Sequence, residues 1–111
     1  SFNNGYPEHD SQKYATANVL RNKEADALLS ISSFSTKVKP ARAKIPTIVL
    51  ATPDTKLDFK PDVYIPVSTP GVDHSGQMVR TDSVVSLPLK QVRNSDNQSV
   101  KEIVRRIAEL V

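Results

Sequence analysis

The stretch Thr47-Ile48-Val49-Leu50-Ala51 constrains the fold of this chain more than any other feature. It is short, apolar and rich in β-branched residues, and Pro46 precedes it, a pattern typical of a strand. Residues 25–32 predict a second strand, in which the adjacent Leu28 and Leu29 indicate that both faces are covered, as in a parallel sheet between helices. Because a polar connection separates the two strands, we predict one α/β crossover unit.

Further segments carry helix, strand or turn signals. They are a helix from Asp10 or Ser11 to about Asn22, a short helix within 35–44, a strand at 63–65, a loop at 71–76 and a hairpin over 78–87 with its turn at 81–83. Pro66 limits the strand at 63–65, because proline cannot donate to a ladder. We therefore expect that strand to lie at a sheet edge or to end there.

The last segment of the chain carries the strongest helix signal. Ser99 and Glu102 have the spacing of a capping box, in which each side chain satisfies a backbone N–H of the first turn. Apolar residues at helical spacing predict one buried face, formed by Val100, Ile103, Val104, Ile107 and either Leu110 or Val111. The i,i+4 pairs Glu102–Arg106 and Arg105–Glu109 are predicted to stabilise the exposed side.

These elements predict a single α/β domain over residues 1–111. It is a small Rossmann-like, three-layer domain with a short, mostly parallel sheet, a β-hairpin and a C-terminal helix. A chain of 111 residues has room for one domain at most.

The residue types that are missing exclude most self-contained enzymes. With no cysteine, disulfides, thiolate zinc sites and cysteine nucleophiles are excluded, and His9 and His74 are the two imidazoles. Three glycines leave little room for a phosphate-binding loop, and the net charge of +3 does not demand a nucleic acid partner. We expect a cytoplasmic protein, because neither a signal peptide nor a membrane-spanning run is evident.

Two groups of polar residues invite a functional interpretation. Glu8-His9-Asp10 and Asp73-His74-Ser75 carry the letters of a catalytic triad, but sequence neighbours rarely converge on one point, so we interpret both as polar loops. The basic strip, defined as Lys37, Lys39, Arg42 and Lys44, has Phe34 as its nearby aromatic. We favour contact with an acidic protein surface in a complex, or with an acidic cofactor tail, over nucleic acid.

Ligands of open α/β sheets bind beyond the carboxyl ends of the strands. The loops that follow the predicted strands therefore supply the candidate contacts: Ser32, Ser33, Asp73, His74, Gly76 and Arg80. Arg80 could hold an anionic group bidentately. The alternative for Arg80 is a structural salt bridge to Asp82 or Asp73.

Several stretches, in this order, resemble the C-terminal part of the B subunit of formylmethanofuran dehydrogenase, a member of the molybdopterin oxidoreductase superfamily. The matching pieces are Gly5-Tyr6-Pro7, Glu24-Ala25-Asp26-Ala27-Leu28-Leu29, Ile45-Pro46-Thr47-Ile48-Val49-Leu50, Asp62-Val63-Tyr64-Ile65-Pro66-Val67, Arg80-Thr81-Asp82 and Val84-Val85. The family's protein is several times longer, and its metal-ligand cysteine or selenocysteine lies in an N-terminal region outside this chain. The resemblance therefore implies a C-terminal fragment of a longer polypeptide.

The resemblance is closest to the bacterial branch of the family. Relatives that bind the pterin cofactor tend to carry Ser-Asp-Pro where this chain has Ser32-Ser33-Phe34, and Glu-Ala-Glu-Gly-Thr in the loop where it has Val72-Asp73-His74-Ser75-Gly76-Gln77. In the bacterial branch, the homologous protein is part of a formyltransferase/hydrolase complex and is thought to have lost redox chemistry.

Three hypotheses follow. The leading one is a non-catalytic module of such a complex, which handles formyl groups on a methanofuran-type carrier. This module would have sister subunits, and a carrier with an acidic tail, as partners, with no membrane, nucleic acid or cofactor of its own. The second is the pterin-binding part of an active molybdenum or tungsten dehydrogenase, where the family's molybdopterin guanine dinucleotide would bind. The third is an unrelated nucleotide- or acid-binding module.

Overall fold

A computed structural model gives the fold and describes residues 5–35, 37–38 and 44–110. The elements in chain order are α1 (Thr16–Arg21), β1 (Leu28–Ser32), β2 (Lys37–Val38), β3 (Thr47–Ala51), β4 (Lys56–Leu57), β5 (Val63–Pro66), β6 (Gly76–Val79), β7 (Ser86–Leu89) and α2 (Val100–Leu110). None of the helices in these ranges is long and apolar enough to cross a membrane.

The main sheet consists of β1, β3 and β5 in the spatial order β1-β3-β5, with every pair parallel. The apolar stretch 47–51 forms the central strand, β3, which pairs with β1 along one edge and with β5 along the other. β5 lies at the edge and ends at Pro66, as the proline predicted. A parallel pair requires a crossover connection, so the predicted crossover between β1 and β3 is confirmed. The described residues of that connection hold the strand β2 and not the predicted helix.

The core lies on both sides of β3. On one side, Leu50 packs with Val67 and with Ile103 of α2, and further aliphatic side chains of α2 and the sheet surround them: Ile48, Ile65, Val100, Val104 and Ile107. On the other side, Val49 and Ala51 are covered by Leu57 and Phe59 from the segment around β4. The prediction of a small α/β domain with a short, mostly parallel sheet and a C-terminal helix is confirmed.

α2 begins as the capping box predicted. The amide and hydroxyl of Ser99 donate to the Glu102 carboxylate at 2.9 Å each, and the Glu102 amide donates to Ser99 Oγ. Arg105 and Glu109 form their i,i+4 pair at 3.6 Å. Leu110 is exposed, so it does not extend the buried face; Val111 lies outside the described residues.

The first helix is shorter than predicted. Asp10 Oδ1 accepts hydrogen bonds from the amides of Gln12 and Lys13, and the Tyr14 amide donates to the Asp10 carbonyl, so one capped turn forms there. Ala15 then has extended backbone angles, and α1 begins only at Thr16. Asp10 therefore caps a single turn, as predicted, and the extended backbone of Ala15 separates that turn from α1.

Within this chain, the prediction that both faces of β1 are covered is wrong. Leu29 and Ile31 are 40% and 49% exposed, because β1 is an edge strand and α2 lies against β3 and β5. Part of the predicted short helix within 35–44 falls on residues 36 and 39–43, which lie outside the described residues. Lys37 and Val38 form β2, paired in parallel with β4.

The predicted hairpin is confirmed. β6 and β7 pair antiparallel from Gly76 opposite Leu89 to Val79 opposite Ser86. The connection is longer than the predicted three-residue turn. It is closed by the Arg80 amide, which donates to the carbonyl of Val85, and Ser83 has a φ of 61°.

Candidate functional site

An open groove of about 440 Å³ lies where the end of β1 meets the turn before β6 and the start of α2. Its lining residues are Ser33, Pro70, His74, Ser75, Gly76, Gln77, Ser99, Val100 and Lys101. Three of the six candidate residues, Ser33, His74 and Gly76, are therefore brought together from two separate loops. The position beyond the carboxyl end of a parallel strand is where ligands of open α/β sheets bind.

Asp73 lies in the same turn but does not line the groove. Its side chain is buried, with one oxygen accepting from the Thr69 amide at 2.8 Å and the other paired with Arg93. The Asp73 amide donates back to the Thr69 carbonyl. The Arg93 pair and then the Thr69 amide lower the pKa of Asp73, so the carboxylate holds the turn in shape.

His74 is fixed largely by the backbone around it. Its Nδ1 lies 2.8 Å from the carbonyl of Ser75, and its own carbonyl accepts from the Gly71 amide at 2.8 Å. The other ring nitrogen, Nε2, is not part of this contact. The imidazole lines the groove, and the partner of its Nδ1 is a backbone carbonyl and not a carboxylate that would activate it.

Arg80 and Ser32 lie outside the groove lining. The Arg80 guanidinium forms a bidentate salt bridge with Asp82, in which Nε is 2.9 Å from both carboxylate oxygens. The structural alternative for Arg80, a salt bridge to Asp82, is therefore the one observed. Asp73, the other partner considered, pairs with Arg93. Ser32 Oγ donates to the Ser35 carbonyl at 3.3 Å.

The two triad-like sequences form no triad. Tyr14 OH donates to the Glu8 carboxylate, and Asp10 closes its local turn. Asp73 is turned away from His74 towards Thr69 and Arg93. Within the described ranges, no group of three or more His, Asp or Glu side chains could hold a metal ion.

Sequence reasoning missed the contributions of α2 and of Arg93. Ser99 and Lys101 line the groove because α2 begins beside the end of β1. The capping box predicted the start of that helix correctly, so the sequence did indicate that Ser99 and Lys101 lie in its first turn. Arg93 gave no signal, because nothing in the residues around it relates it to an aspartate 20 positions earlier.

The groove supplies hydroxyl, amide and imidazole groups with one ammonium, from Lys101, and its lining includes no carboxylate. Glu102 is held at the helix start by Ser99, whose amide and hydroxyl lower its pKa. The heterocycle of a pterin presents N–H donors that need acceptors such as carboxylates. Since Asp73 is buried and paired, the residues present fit an anionic or hydroxyl-bearing group better than the pterin that the family resemblance implies.

No family model matches the chain. The B subunit of the tungsten-containing formylmethanofuran dehydrogenase 2 of Methanococcus maripaludis is 24% identical to it, over 98% of this chain and 27% of that protein. A chain of the formyltransferase/hydrolase complex from Methylorubrum extorquens, solved with methylofuran, has a similar structure. The TM-score is 0.75 and the identity 23%, over 98% of this chain and 31% of that one. The resemblance to the B subunit of formylmethanofuran dehydrogenase is confirmed, and this chain spans about a third or less of either relative.

Proposed function

We propose that this chain is the C-terminal module of a protein like the dehydrogenase B subunit, placed in a one-carbon formyltransferase/hydrolase complex, and that the module itself supplies no catalytic group. The observation that carries this proposal is the state of the charged candidates. Asp73 is buried against Thr69 and Arg93, and Arg80 is paired with Asp82. The buried carboxylate of Asp73 holds its turn and is not poised for proton transfer, and the guanidinium of Arg80 is already engaged by a neighbouring carboxylate.

The relatives support the setting of the proposal. One is the B subunit of a dehydrogenase, and the other belongs to a multi-subunit complex solved with methylofuran. Because this chain covers 27% and 31% of their lengths, the residues that transfer or hydrolyse a formyl group would lie elsewhere in the complex. These matches also favour the first two hypotheses over an unrelated binding module.

A second candidate function is the pterin-binding part of an active dehydrogenase. Two observations favour it: the groove at the end of β1 brings Ser33, His74 and Gly76 together, and the curated relative is part of a tungsten-containing dehydrogenase. The lack of a carboxylate in the groove lining counts against it. The two candidates therefore differ in a measurable quantity, the metal and pterin content of the intact protein.

The test uses the intact protein purified from its source through an affinity tag. Co-purification with formyltransferase and hydrolase subunits, with no stoichiometric molybdenum, tungsten or pterin, is the expected result. Stoichiometric metal and pterin would replace the leading proposal by the second candidate. A protein that purifies without such subunits, metal or pterin would exclude both.

The carrier is a further part of the proposal. A methanofuran-type carrier with an acidic tail would suit the basic strip, of which Lys37 and Lys44 are described and exposed, while Lys39 and Arg42 lie outside the described residues. Replacing all four residues by glutamine is expected to weaken carrier binding, most strongly at low salt. The matched control neutralises four exposed cations away from the strip and the groove, Lys23, Lys60, Lys90 and Arg105. Unchanged affinity in the strip variant would end the hypothesis.

A further inference from the structure

The sheet face under α2 remains open at β1. The register aligns Leu29 with Ile48 and Ile31 with Leu50, so these side chains lie on one face. Leu50 is fully buried and Ile48 partly so, whereas Leu29 and Ile31 are 40% and 49% exposed. We call Leu29 and Ile31 the β1 strip. α2 covers the apolar face of the sheet at β3 and β5, and the β1 strip extends that face by one more strand.

The dimensions of helices and sheets explain why α2 cannot cover this strip. A helix is about 10 Å across and strands are about 4.8 Å apart, so one helix covers about two strands. α2 packs on Leu50 of β3 and Ile65 of β5. A second helix beside it, at the usual interaxial distance of about 8–10 Å, would lie over β1 and the space just beyond it.

The two edges of the sheet are built differently. β5 ends with Pro66, a residue that blocks further pairing at an edge. β1 has the sequence Leu-Leu-Ser-Ile-Ser, without a proline or a charged residue. A sheet edge without proline or charge is usually protected by a helix or loop that covers it.

We infer that a helix supplied by the remainder of a longer polypeptide, of the length of the two relatives, packs across the β1 strip and completes this face of the sheet. The inference rests on the proposed function. The occupant follows from length: the two relatives extend well beyond the matched region, which is 27% of one and 31% of the other. A covalently linked element has a high effective concentration at this surface, and the apolar face of α2 shows the kind of helix that the sheet accepts.

Photo-crosslinking of the intact protein tests the inference. A benzophenone amino acid replaces Ile31 and, in a matched control, Val92, which is exposed outside the helices and strands. Position 31 is expected to cross-link to a peptide of the same polypeptide outside residues 1–111, and position 92 is not. A cross-link to a sister subunit or to a second copy, the same cross-link from both positions, or none, would overturn the inference.

A second measurement does not depend on the probe. The paired change Leu29→Asp and Ile31→Asp is expected to lower the Tm of the intact protein and to accelerate amide exchange in residues 28–32, while Val84→Asp, at an exposed position in the hairpin connection, does neither. Equal behaviour of the two variants would contradict the inference. Co-purification of formyltransferase and hydrolase subunits is scored separately. Its loss refutes the proposed function, whereas a missing cross-link within an intact complex refutes only the docking of this helix.

Discussion

Asp73 and Asp82 each pair with an arginine, yet their surroundings differ. The side chain of Asp73 is 1% exposed and that of Asp82 is 47% exposed. An exposed pair is screened by water and contributes little, whereas a buried carboxylate without its partners leaves a desolvated charge. In the sequence, both aspartates lie in polar stretches. The sequence does not show which of the two contributes more to stability, because burial depends on the fold around each loop.

Replacing Asp73 by asparagine tests this difference. We expect Asp73→Asn to lower the free energy of unfolding by about 1–3 kcal/mol, since the amide loses the charge-assisted contact with Arg93. The control Asp82→Asn removes an exposed pair and should cost much less. Urea denaturation followed by circular dichroism measures both, and equal losses would show that the Asp73 contacts do not hold the turn.

The lowered pKa of Asp73 also predicts a pH dependence. Because the pairing with Arg93 favours the ionised form in the folded state, the unfolded chain binds the proton more tightly, and stability rises with pH in this window. The contribution is complete above the ordinary aspartate pKa of about 4 and is lost as the pH falls through the lower folded pKa. The stability gap between wild type and Asp73→Asn should therefore shrink below about pH 4, and a constant gap would contradict this.

At the scale of elements, the turn before the hairpin depends on one glycine. Gly71 has a φ of 76°, and a Cβ placed on it would lie 3.2 Å from Leu89 Cβ at the end of β7. This contact brings the hairpin base against the turn that holds Asp73 and His74. The turn and the hairpin are thus packed as one unit beside the groove.

Gly71→Ala is expected to destabilise the protein by more than about 1 kcal/mol, because the left-handed backbone and the Leu89 contact both oppose a side chain. Gly76→Ala is the matched control. Its φ is not positive, and the nearest atom to an added Cβ is Pro70 Cβ at 4.0 Å. Thermal unfolding of both variants measures the difference, and a similar Tm for the two would refute the role given to Gly71.

Elements were predictable where one local signal decided them. The capping box and apolar spacing of α2, the proline that ends β5 and the apolar run of β3 each act within a few residues, and the structure confirms all three. The early helix is shorter than predicted because the backbone of Ala15 is extended, which separates the turn capped by Asp10 from α1. The prediction that both faces of β1 are covered failed because the covering depends on where α2 packs, and no residue of β1 determines that.

At the scale of the whole molecule, the parallel pairing of the sheet could be predicted from the sequence, and the composition of the groove could be predicted only in part. Parallel pairing follows from two apolar strands with a long connection, and it places their carboxyl ends together. That rule placed Ser33, directly after β1, and the segment after β5 that holds His74 at the same edge of the sheet. It could not show that Asp73 points away from the groove or that Lys101 lines it, since both depend on the docking of segments distant in sequence.

Stability should be distributed unevenly around β3. Val49, Leu50 and Ala51 are fully buried and packed from both sides, whereas β6 and β7 are exposed or half-buried along their length. We therefore expect β3 amides to exchange hydrogen only through global unfolding, and hairpin amides to exchange faster through local opening. Exchange measured across increasing urea separates the two, because global opening is denaturant-dependent and local opening is not. Hairpin amides as protected as those of β3 would mean that the hairpin belongs to the cooperative core, and would contradict the expectation drawn from its exposed strands.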